Sequence, residues 1–153
     1  MLQTRWYLTN TDWFAQLPDA PPLGVDEQRV IGQLAHLFGD ESSFGPATTV
    51  AATHAVLLAA EHLADTMTHA AGTHELTELA RLLCGLNLIQ AHLTQAIQRI
   101  AEHVNGHAFP GLAYTPDAAV QALTDSLSTA AASGEISAGH LKDAHLILRT
   151  ASH

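Results

Sequence analysis

The sequence predicts an all-α fold: an up-and-down helical bundle of four to five helices with an aromatic-rich extended N-terminal arm. Three observations carry the prediction. An unbroken stretch from about Thr73 to Asn105 sets Leu76, Leu79, Leu83, Leu86, Gln90, Leu93, Ile97, Ile100 and Val104 at alternating steps of three and four. That is the heptad spacing of a helix that lays an apolar seam against a neighbour. The flanking segments show the same helical period and are punctuated by Gly and Pro, which stop helices. Alternation of the strand type is absent beyond a short extended piece at Trp6–Leu8.

Residues 1–24 read as an arm packing on the bundle, and residues 25–153 as a single helical domain. Trp6, Tyr7, Trp13 and Phe14 supply four of the chain's eight aromatic residues, and Pro18, Pro21, Pro22 and Gly24 impose an extended connection after them. The first helix follows from Asp26 to Phe38, with Val30, Leu34, Leu37 and Phe38 on one stripe and Gly39 as its stop. Gly45-Pro46 opens a second helix, since proline suits the first helical turn. Its narrow stripe is Ala52, Val56, Ala60, Leu63, Met67 and Ala70, and Gly72 ends it. With only Gly72 and a cap at Thr73 between them, the second and third helices are expected to form an antiparallel hairpin.

The third helix is the long one, about 48 Å at ~1.5 Å per residue. Gln90 is the one polar position in its seam, and a polar seam residue either sets register or faces a rim as the helix drifts. After Gly106 an apolar loop carries Phe109, Leu112 and Tyr114, and Thr115-Pro116-Asp117 begins a fourth helix with a cap, a proline and an early acid. That helix, with Val120, Leu123, Leu127 and Ala131, is expected to end near Gly134. A last one starts at about Ser137 and carries Leu141, Ala144, His145 and Leu148.

Bulk composition narrows the function. The net charge is −9, and Arg81, Arg99, Lys142 and Arg149 are scattered rather than clustered. Nucleic-acid binding needs a basic surface to neutralise phosphates, so none is expected. No 18-residue apolar stretch spans a membrane, and the N-terminus lacks the pattern of a signal peptide. The lone Cys84 cannot pair within the chain, which fits a reducing, cytoplasmic setting. Charged residues make up only 14% of the chain, and a surface this poor in charge points to a homo-oligomer or another protein partner.

The eleven histidines are the one compositional oddity with chemical potential. On the second helix His54, Glu61, His62, Asp65 and His69 fall within an arc of about 100° at ~100° per residue, opposite Val56, Leu63 and Met67. His62, Asp65 and His69 stand at i, i+3 and i+7 and are the candidate ligands for a divalent metal, zinc or nickel. Other patterns fail. His74-Glu75-Leu76-Thr77-Glu78 begins like a zinc-protease helix but has Glu78 where a second histidine is required. Neither Glu-x-x-His nor Asp-x-x-His occurs, which removes the di-iron carboxylate pattern. His103 and His107 have helical spacing, but Gly106 should end the helix between them. His145 sits in an apolar stripe and is expected to be a buried, hydrogen-bonded core residue.

Bundles of the DinB-like thiol-transferase group carry an acid and a histidine four apart on a late helix. Here the one such pair, Asp65 and His69, lies on an early helix, and Leu141 stands where the acid should precede His145. The chain is therefore not assigned to that group. The expected function is a non-catalytic intracellular interaction or assembly module, homodimeric through the long helix or the arm. The alternatives are a metal-dependent bundle enzyme of thiol-transferase type using the helix-two histidines, and a small-ligand sensor with a pocket beneath Phe109, Leu112 and Tyr114.

Overall fold

The computed structural model describes residues 22–151, so the N-terminal arm and its aromatic residues lie outside the described residues. Within them are four α-helices and no strand: α1 Val25–Phe38, α2 Pro46–Ala70, α3 Leu76–Asn105 and α4 Asp117–Ala151. The chain falls into two compact units, one within Pro21–Glu75 and the other containing Leu76–His153.

In the first unit the local signals act as expected. Asp26 and Glu27 occupy the first turn of α1 and His36 its last, each on the side that the helix dipole favours. Asp40 accepts a hydrogen bond from the Ser42 N–H at 2.9 Å and caps the short 3-10 turn Glu41–Ser43. Pro46 opens α2. One signal acts elsewhere: the Thr73 hydroxyl donates to the Ala70 carbonyl at 2.7 Å. It therefore closes α2 rather than opening α3, which starts three residues later at Leu76. Neither α1 nor α2 contains a buried residue.

The second unit is an antiparallel hairpin of two long helices, about 45 Å and 52 Å at ~1.5 Å per residue. α3 ends through the backbone: Gly106 N–H bonds Glu102 O at 2.9 Å and Ala108 N–H bonds His103 O at 2.9 Å. His107 takes a left-handed φ of 54° there, the usual conformation just past a helix end. His103 and His107 are thus separated by the helix terminus, and His103 instead meets Phe109 edge to face at 6.5 Å.

Two expectations change in the hairpin. The fourth and fifth helices are one continuous helix, α4, and Gly134 lies inside it. A Cβ at Gly134 would collide with Thr94 Oγ1 and lie 3.2 Å from Thr94 Cβ and 3.1 Å from Gln90 Nε2. The glycine therefore marks a close approach of two helices, and not a helix end.

The second change concerns which face of α3 is buried. α3 is the most buried element, but the buried positions are Ala80, Arg81, Cys84, Gly85, Asn87, Ala91, Thr94, Ala101 and Val104. Of the nine positions in the leucine seam only Val104 is among them. Leu76 is 60% exposed, Leu93 41% and Ile100 42%, while Leu79, Leu83, Leu86 and Ile97 are half-buried. On α4 the opposing stripe is Val120, Ala131, Gly134, Ala138 and His145. Alanine and glycine on both partners let the backbones approach closely, a contact that leucines would hold apart.

Candidate functional site

The hairpin interface carries several polar groups, and three side-chain hydrogen bonds cross it. Asn87 Nδ2 donates to the Ala138 carbonyl at 2.6 Å. Two turns further along α4, the His145 Nδ1–H donates to the Ala80 carbonyl at 2.8 Å, which fixes the proton on that nitrogen. His145 is 6% exposed, as expected of a hydrogen-bonded core histidine. Gln98 Nε2 donates to Glu135 Oε1 at 2.5 Å. Thr94 Oγ1 donates to Gln90 O at 2.7 Å and accepts from Gln90 Nε2 at 3.3 Å, so the Gln90 amide folds down over Gly134. The bonds of Asn87, Thr94 and His145, all buried, each relieve a polar group that would otherwise cost about 1–3 kcal/mol.

Cys84 is buried in the same stripe. Burial pushes its thiol above the ordinary value, and the Arg149 charge only partly offsets this. The group is a protonated packing residue at neutral pH, not an activated nucleophile. Arg81, read from the sequence as one of four scattered cations, is 3% exposed.

The histidine face of α2 is open. His62, Asp65 and His69 are all exposed, and the nearest interaction of His62 is a 3.5 Å approach of its Nε2 to Thr66 Oγ1. Among the described residues, no group of three or more His, Cys, Asp or Glu is gathered as a metal would require. The loop proposed to cover a pocket is itself largely exposed, with Tyr114 at 93%. A groove of about 450 Å³ opens instead between α3 and α4, where Gln98, Glu102 and Asn105 face Thr124, Ser128 and Glu135.

The remaining surface of note is the leucine seam itself. In heptad terms the buried stripe Ala80, Cys84, Asn87, Ala91, Thr94 and Ala101 lies one residue beyond each seam position, about 100° around the helix. Ile89, beside the seam, is 43% exposed. α3 therefore presents two contact faces at nearly a right angle, one filled by α4 and one lined with leucine and isoleucine. The sequence revealed the leucine face. It gave only a weak sign of the other, in the recurrence of Ala, Asn and Thr at the same three-and-four spacing.

Comparison with known proteins adds no assignment: no family model, no curated protein and no solved structure matches the chain. Among the described residues, no helix is long and apolar enough to cross a membrane.

Proposed function

We propose that this chain is a non-catalytic protein-interaction module that assembles as a homodimer, and that its helices complete an up-and-down bundle in that assembly. The observation that carries the reading is the division of α3 into two faces. α4 seats on the small and polar stripe, which leaves Leu79, Leu83, Leu86, Leu93, Ile97 and Ile100 half-buried or exposed. A contiguous apolar strip of this length is uncommon on a surface that meets only water. Helices with two adjacent apolar faces are the building blocks of bundles, in which each has two neighbours.

The first unit supports the same reading. A 25-residue helix with Val56, Leu57 and Leu58 all exposed, and with no buried residue of its own, lacks the packed face from which helices in proteins draw most of their stability. The metal-dependent reading of His62, Asp65 and His69 has only their spacing in its favour.

The test is the mass in solution of protein carrying no affinity tag, by light scattering or sedimentation equilibrium. The expected value is twice the chain mass of 16.2 kDa. Replacing Leu86 and Leu93 together by Glu should return it to the single-chain mass with helical content retained, because neither side chain is in the buried stripe. A wild-type protein that stays at the single-chain mass at micromolar concentration would refute the reading.

A further inference from the structure

We draw no further inference here: the strongest candidate, the leucine and isoleucine face of α3 between Leu79 and Ile100, already carries the homodimer proposal, and nothing in the structure shows what element or register covers it.

Discussion

The same substitution at two glycines of α4 should change stability in opposite directions, because one glycine is an accommodation of packing and the other is not. At Gly139 a Cβ meets nothing within 4 Å, so Gly139→Ala contributes helix propensity alone, a gain of roughly 0.8–1 kcal/mol. Gly134→Ala has the same intrinsic gain, but its methyl would strike Thr94 Oγ1 and press on Thr94 Cβ at 3.2 Å and Gln90 Nε2 at 3.1 Å. Thr94 has little room to turn, since its hydroxyl is engaged with the Gln90 carbonyl one turn back at 2.7 Å. Overpacking of this kind costs about 1–3 kcal/mol, and disturbing the Thr94–Gln90 pair adds about 1 kcal/mol. The balance for Gly134→Ala is a loss of roughly 1–3 kcal/mol, against a gain at Gly139.

Urea unfolding at fixed protein concentration measures both, with the midpoint interpreted only if the slope is unchanged. Thr94→Ala supplies the control. Alone it should destabilise by removing the buried hydroxyl's bonds, but in combination it removes the atom that obstructs the new methyl. Gly134→Ala should therefore cost at least ~1 kcal/mol less in the Thr94→Ala background than in the wild type, a coupling of the size expected for residues in contact. If Gly134→Ala stabilises as much as Gly139→Ala does, the close approach of α3 and α4 at this point is wrong.

The other polar contacts of the hairpin make separate predictions. Asn87→Ala should lower unfolding stability by about 1–3 kcal/mol, because it leaves the buried Ala138 contact unmade and opens space; a change within ~0.5 kcal/mol, the range of ordinary surface substitutions, would place Asn87 outside the core. Cys84 should react with a thiol reagent in the native protein far more slowly than in urea, and equal rates would contradict its burial. Because its folded pKa is raised above the unfolded value near 9.0, its contribution is complete below that pH and is lost as pH rises beyond it. Melting measured above pH 9 should thus decline less in Cys84→Ala than in the wild type. Protein purified without an affinity tag should carry zinc or nickel well below one per chain, with melting unaffected by His62→Gln and His69→Gln. Stoichiometric metal that these two variants abolish would instead make His62, Asp65 and His69 a site.

What could be read in the sequence follows from how local each signal is. Helix class, the start of α2 at Pro46 and the end of α3 before Gly106 depend on residues within a turn of the event, and they stand where the spacing placed them. Gly134 could not be interpreted locally. A glycine that ends a helix and one that admits a neighbouring helix look alike until Thr94, forty residues earlier, is known to lie against it. The assignment of the core suffered in the same way. Hydrophobicity alone marks the leucines as the inner face, but the hairpin selected the stripe that permits the closest backbone approach. Asn87 and His145 became core residues through bonds to carbonyls distant in sequence, and Thr94 by lying against Gly134.

That selection also explains why the polar residues are on the side they are. A leucine-filled contact between α3 and α4 would keep the helix axes apart and strand the amide of Asn87 and the imidazole of His145 beyond reach of the Ala138 and Ala80 carbonyls. With alanine and glycine between the helices, those bonds are short, directional and tied to one register, so the hairpin is specified by its hydrogen bonds more than by its apolar area. The apolar area stands on the adjacent face, where non-directional attraction suits association with a second surface. On this argument the two faces should fail independently. Asn87→Ala should loosen the hairpin and lower helical stability while leaving the solution mass that of the dimer, whereas Leu86→Glu with Leu93→Glu should abolish the dimer and leave the native protection of the Cys84 thiol intact. If the glutamate pair exposes Cys84 to rapid reaction, the seam belongs to the hairpin's own core and the division of α3 into two faces does not hold.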